Sequence, residues 1–199
     1  MNYSFIEIGT SDFDTMIQRS DDSTVGLSIE PIKIYLDRLP NKKNVTKINC
    51  AIAFDGVEGK DTMYYISPEV LKENLSLPNW LRGCNRLGDY HLQHKNLKIE
   101  HLVETVEVDI IPIARLFEIY KVDKVNTLKL DTEGGDCYIL KQLLPVLKEK
   151  DKSSWPTTIL FETNILSAEA LIQETILCYE TLGYVSNRAR SNTTLTLIA

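Results

Sequence analysis

The acids and glycines of this chain gather where apolar runs end. Phe5-Ile6-Glu7-Ile8-Gly9-Thr10-Ser11-Asp12-Phe13-Asp14 reads as a strand entering a tight, carboxylate-rich turn that opens a helix. Glu30, followed by Pro31, ends a second apolar run. Lys129-Leu130-Asp131-Thr132-Glu133-Gly134-Gly135-Asp136 sets three carboxylates and two glycines at the end of another, and Phe161-Glu162-Thr163-Asn164 adds an acid and an amide at the end of a fourth. In open α/β sheets, ligands bind outside the carboxyl ends of the strands. A diphosphate there calls for G-x-G-x-x-G, which brings bare backbone and a helix N-terminus to the pyrophosphate. Only Gly9 is present, Ser11 and Asp14 stand at the other two positions, and Glu7, Asp12 and Asp14 would repel a diphosphate. A phosphate-free cation with an adenosine part, S-adenosylmethionine, suits the turn better.

On that reading Glu7, Gly9, Thr10 and Ser11, with Asp12 beside them, meet the methionine part. Glu30, followed by Pro31, accepts the ribose hydroxyls, and Cys50, Ala51 and Ile52 form the adenine edge. Clustered carboxylates repel one another and rise in pKa, which suits a group that takes a proton from a hydroxyl. Asp131 therefore faces either the ammonium group or the incoming hydroxyl, and Glu133, His91 and His94 are alternative bases. Asp131, Glu162 and Asn164 form an oxygen set that suits a hard divalent cation, although their spacing does not demand one. Plainer roles stand beside these: Asp136 as a helix cap, Asn164 or Ser167 as another, the histidines as surface residues. Trp80-Leu81-Arg82-Gly83-Cys84-Asn85-Arg86 mixes a flat aromatic with donors, suited either to sugar faces or to anchoring a loop.

These groups need a scaffold of alternating strands and helices. Tyr3 to Ile8, Thr24 to Ile29 and Val45 to Ala53 read as strands, with helices at Phe13 to Arg19 and Ile32 to Leu39 between them. The rhythm resumes with a strand over Lys124 to Leu130, a helix over Asp136 to Glu149, a strand over Thr157 to Phe161 and a helix over Ala168 to Leu182. Tyr184 to Asn187 and Thr193 to Ile198 read as a closing hairpin. The expected fold is α/β, a mostly parallel sheet with helices on both faces and an antiparallel C-terminal hairpin. Residues 55–106 break the rhythm, and their ordered-looking aromatics predict a lid or substrate wall with a short helix near Glu69 to Asn74. His101 to Ile111 reads as a strand.

The 199 residues, 43% hydrophobic, predict one domain over 1–199. A net charge of -6 without a basic run excludes binding to nucleic acid through its phosphates. No apolar run reaches the roughly 20 residues that span a bilayer, which argues against a membrane partner. Cys50, Cys84, Cys137 and Cys178 are scattered, with no C-x-x-C, so neither a disulfide frame nor a zinc finger is expected. A soluble, cytoplasmic protein follows.

Three stretches in order resemble the FkbM-type family of S-adenosylmethionine-dependent methyltransferases: Phe5 to Asp14, Ile29-Glu30-Pro31, and Val108-Asp109-Ile110-Ile111-Pro112-Ile113-Ala114-Arg115-Leu116-Phe117 leading into Leu128 to Gly134. The resemblance implies a Rossmann-like class I fold, a seven-stranded sheet with an antiparallel final strand, and O-methylation of a hydroxyl on a sugar such as a deoxyhexose or another glycan unit. Asp12, Phe13 and Asp14 depart from the small residues usual in the family's first turn. Little precedes the first strand, so the middle segment, or a partner subunit in a homodimer, has to cover the cofactor. The rival expectation is an NAD- or nucleotide-sugar-binding α/β protein, since strand, turn and acid recur there at this separation.

Overall fold

The computed structural model describes residues 1–198. The chain begins β1 (Asn2–Ile8), α1 (Met16–Arg19), β2 (Gly26–Ile29), α2 (Lys33–Arg38), β3 (Val45–Ile48). It continues β4 (Ala51–Ile52), β5 (Gly59–Tyr65), α3 (Pro68–Glu73), β6 (Arg86–Leu87), α4 (Leu92–Asn96), β7 (Glu104–Ile111), α5 (Ile113–Ile119). It ends β8 (Lys124–Leu130), α6 (Asp136–Lys148), β9 (Thr158–Glu162), α7 (Glu169–Thr181), β10 (Tyr184–Ala189), β11 (Asn192–Leu197). Seven strands form one sheet in the order β10-β11-β9-β8-β1-β2-β3, and β4-β7-β5-β6 form a second.

Pairing in the large sheet is parallel from β3 through β2, β1 and β8 to β9. β11 is antiparallel to both β9 and β10, so β10 on the edge points the same way as the parallel strands and β11 alone opposes them. The hairpin is thus folded back, with its second strand inserted next to β9. Alternate residues of β1 face opposite layers, as a pleat requires. Ile6 and Ile8 pack with Leu128, Leu130, Ile139 and Leu143, whereas Phe5 packs with Ile17, Leu36 and Leu39 from α1 and α2. Both faces are covered, so β1 is buried from Phe5 through Ile8, Glu7 included.

Three expected elements change shape. The Phe13 to Arg19 helix shortens to α1, because Thr15 and Gln18 close a capping box and fix its start. Val45 to Ala53 is two strands in two sheets. Asn49 breaks the run by donating its side-chain amide to the carbonyls of Glu30 and Pro31, at 2.9 and 2.8 Å, and the next residues pair with β7. His101 to Ile111 is a short 3-10 turn followed by β7. The 55–106 segment contains α3, as expected, but is built mainly on the second sheet, with β5 and β6 pairing antiparallel.

Candidate functional site

The turn after β1 is held from both sides. Gly9 takes φ +78°, and a Cβ there would lie 1.9 Å from the Asp131 carbonyl oxygen, so only glycine lets β1 end against β8. On the other side Glu30, buried at the end of β2, accepts the N–H groups of Thr10 (3.1 Å) and Ser11 (2.6 Å) on one oxygen and that of Ile32 (2.9 Å) on the other. Burial pushes this carboxyl up to about 7 while the three amides pull against it. A carboxylate offers about four acceptor positions, so about one remains for a ligand hydroxyl rather than the two expected from the sequence.

A cavity of about 300 Å³ opens at these strand ends. Its wall includes Gly9, Thr10 and Ser11 from the first turn, Glu30 and Pro31 from the second, and Cys50, Ala51 and Ile52 beside β4. Asp131 and Glu133 close it from β8. The structure therefore brings together ten of the residues singled out in the sequence. The 55–106 segment supplies the opposite wall through Trp80 and Gly83 of a 3-10 turn over Asn79–Gly83, Cys84 and Asn85 just after it, and Leu87 of β6, and Ser11 Oγ donates to the Arg82 carbonyl at 2.8 Å to bind that wall to the turn. Met63 and Phe54 complete the apolar part. Neither stood out in the sequence. Met63 faces inward only because β5 pairs with β6, where it sits opposite Leu87.

Glu7 and Asp12 are not on the wall. Glu7 is fully buried, with Lys129 Nζ at 2.8 Å and the Met16 N–H at 2.8 Å. Parallel register sets Glu7 opposite Lys129 on β8, a pairing invisible in sequence. Burial raises the Glu7 pKa, and Lys129 opposes the shift. Asp12 turns toward Arg82 and Arg38, at 3.2 and 3.3 Å, and Arg82 stacks on Phe13. The extra acids of the first turn are thus spent on bracing it.

The histidines separate. His91 is 3% exposed, and its Nε2 lies 3.0 Å from Glu133 Oε2, so two of the alternative bases form one pair. Its Nδ1 accepts the Gln93 N–H at 3.1 Å, which leaves the ring proton of the neutral imidazole on Nε2. His94 is fully buried behind it, accepts the His91 N–H, and burial lowers its pKa to about 4. It is a neutral cap for α4 and has no path to the cavity. Asp136 is the first residue of α6, yet its carboxylate ties two strand ends together, accepting the N–H of Thr132 at 2.8 Å and of Glu162 at 2.7 Å.

Asp131, Glu133 and Glu162 each bring an oxygen within 4.8 Å of the others. Burial first, then Asp136 and Glu133, pushes Asp131 up to about 7. Burial, then Glu133 and Asp131, pushes Glu162 up to about 9. Asp131 and Glu162 therefore hold protons that isolated acids would release. Asn164 Oδ1 accepts the Leu166 N–H at 2.8 Å. Cys84, His91 and Glu133 also converge, but the proton that Gln93 fixes on Nε2 occupies the position a metal would need.

The methyltransferase FkbM domain matches residues 6–164. The chain belongs to the FkbM methyltransferase family. All three resembling stretches lie inside that span, except Phe5 at its margin. The mixed α/β architecture with its mostly parallel seven-stranded sheet fits a methyltransferase. No curated protein matches the chain. No helix among the described residues is long and apolar enough to cross a membrane.

Proposed function

We propose that this protein is an S-adenosylmethionine-dependent O-methyltransferase of Rossmann-like class I fold that methylates a sugar hydroxyl, a deoxyhexose or other glycan unit. The observation that carries the reading is the charge of the wall. Asp14, Glu30, Asp131 and Glu133 line it against one cation, Lys129, whose ammonium is paired with Glu7. A diphosphate would meet repulsion there, and a sulfonium with an ammonium group would meet attraction.

Glu30 offers its remaining acceptor position to a ribose hydroxyl, and the slot of Pro31, Cys50, Ala51, Ile52, Met63 and Leu87 suits an adenine face. When bound, S-adenosylmethionine supplies an electrophilic methyl group. Asp131 has no hydrogen-bond partner of its own and opens into the cavity, which suits an ammonium group or an incoming hydroxyl. Trp80, half exposed, stands with Asn85 on the wall from the 55–106 segment, a flat apolar face and an amide of the kind sugars stack on and bond to. Four unpaired cysteines fit a reducing, cytoplasmic setting.

Calorimetry with S-adenosylhomocysteine and with NAD tests the cofactor, and binding of NAD alone overturns the reading. Labelled methyl donor with a panel of deoxyhexose glycosides, with and without EDTA, tests the acceptor and any cation requirement. Asp131→Asn keeps the fold and abolishes turnover; near-normal turnover removes Asp131 from the reaction.

A further inference from the structure

We propose that Glu133 is the base that takes the proton from the acceptor hydroxyl, and that His91 is a positioning residue that aims it without itself taking that proton. The proposal rests on the methyltransferase reading above and chooses among groups that the sequence left open.

Three observations single out Glu133. Its carboxylate is on the cavity wall and has its own donor, His91 Nε2–H at 3.0 Å, whereas Asp131 has none. Its backbone sits at φ +54°, the left-handed region, which strains a non-glycine residue and persists only where surrounding contacts enforce it. Arg86 from the second sheet reaches its carbonyl at 3.4 Å. Three of the six non-glycine residues with positive φ, Ser11, Asp14 and Glu133, lie on this one wall.

The histidine has both nitrogens committed. Nδ1 accepts from the Gln93 N–H, and Nε2–H donates to Glu133, so the ring has no free lone pair for a substrate proton. The groups facing His91 are Glu133 from the turn after β8, Gln93 and His94 from α4, and Cys84 just after the 3-10 turn over Asn79–Gly83; Asp131 and Glu162 stand beyond Glu133. In the step, the acceptor O–H bond breaks and its proton passes to the Glu133 carboxylate. The oxygen keeps that electron pair and forms the bond to the methyl carbon, while the carbon–sulfur pair stays on sulfur. Glu133 then returns the proton to solvent, because His91 has no position to receive it.

Imidazole nitrogen NMR on the ligand-free protein tests the geometry without turnover. His91 is expected to carry its proton on Nε2 with Nδ1 bare; an Nδ1–H tautomer overturns the proposal. Two substitutions then separate catalysis from capping. In His91→Asn the side-chain oxygen replaces Nδ1 and keeps the cap, but no donor reaches Glu133. In His91→Gln the amide N–H replaces Nε2–H, and the cap is lost. With methyl rhamnoside and methyl fucoside as acceptor probes, His91→Asn is expected to melt within a degree or so of the wild type and lose roughly tenfold or more in kcat. His91→Gln melts lower and keeps kcat within about threefold. Glu133→Gln loses on the order of 10²–10⁴ in kcat, the usual range for a general base. The reverse order for the two His91 variants, or full turnover in Glu133→Gln, overturns the proposal. Calorimetry with S-adenosylhomocysteine on every variant keeps the failures apart. A wild type that does not bind it fells the cofactor reading, while unchanged binding with the wrong kinetic order fells only the assignment of the base.

Discussion

Lys129→Met removes the cation paired with Glu7. The side chain of Glu7 is fully buried and that of Lys129 is 24% exposed, with the two joined at 2.8 Å across paired strands. Methionine keeps the aliphatic stem, so the loss is almost purely the ammonium. Removing one partner of a buried pair costs about 3–5 kcal/mol, because the other charge stays behind without compensation. Glu7 keeps one bond from the Met16 N–H and has the option of taking a proton, which places the expected loss near the lower end, about 3 kcal/mol at pH 8. For a chain of this length that is a fall of roughly 6–12 °C in Tm. The folded pKa of Glu7 already lies above its value of 4.5 in a free side chain, and losing Lys129 raises it further. The folded state then binds more protons than the unfolded one above about pH 4.5, so the variant's stability falls as pH rises. Urea unfolding at pH 5.5 and 8 is expected to show a small gap from the wild type at the lower pH and a large one at the higher. Glu7→Gln added to Lys129→Met restores most of the loss, since a neutral pair leaves no charge behind. A loss under about 1 kcal/mol at pH 8, or one independent of pH, refutes this account of the pair.

Gly9→Ala places a methyl group 1.9 Å from the Asp131 carbonyl oxygen at a positive φ, and is expected to cost about 3 kcal/mol or more or to yield insoluble protein; urea unfolding or the soluble yield decides it. Glu30→Ala leaves the amides of Thr10, Ser11 and Ile32 without an acceptor, so hydrogen exchange at those three is expected to quicken while exchange in α6 stays slow. Asp131 and Glu162 have folded pKa values of about 7 and about 9, above their free values, so the folded state holds extra protons and stability falls as pH rises from about 4.5 toward 9. Glu162→Gln is expected to flatten that decline and to raise stability at pH 8.5 by about 1 kcal/mol, after allowance for partial solvent screening. Thermal unfolding at pH 5.5 and 8.5 checks this, and parallel declines in the two proteins contradict it.

By itself the sequence determined the parallel frame and the edge that carries the site. Apolar-rich runs followed by Gly9, Glu30 and Asp131, and one closing on Glu162, mark strand ends because buried parallel strands are mostly apolar on both faces and a glycine or an acid then stands where the strand stops. It also determined much of the cavity wall, since Thr10, Ser11 and Pro31 follow directly from those ends and Cys50, Ala51 and Ile52 come just after β3. Tertiary structure alone decided the partners. Glu7 belongs to Lys129 through strand register, Asp12 to Arg38 and Arg82 through the docking of the second sheet, and His91 to Glu133 across 42 residues of chain. Charge and residue type are local properties and can be read along a chain. Which carboxylate is neutralised, which is aimed and which is left open depends on contacts between segments far apart in sequence, and only packing sets those.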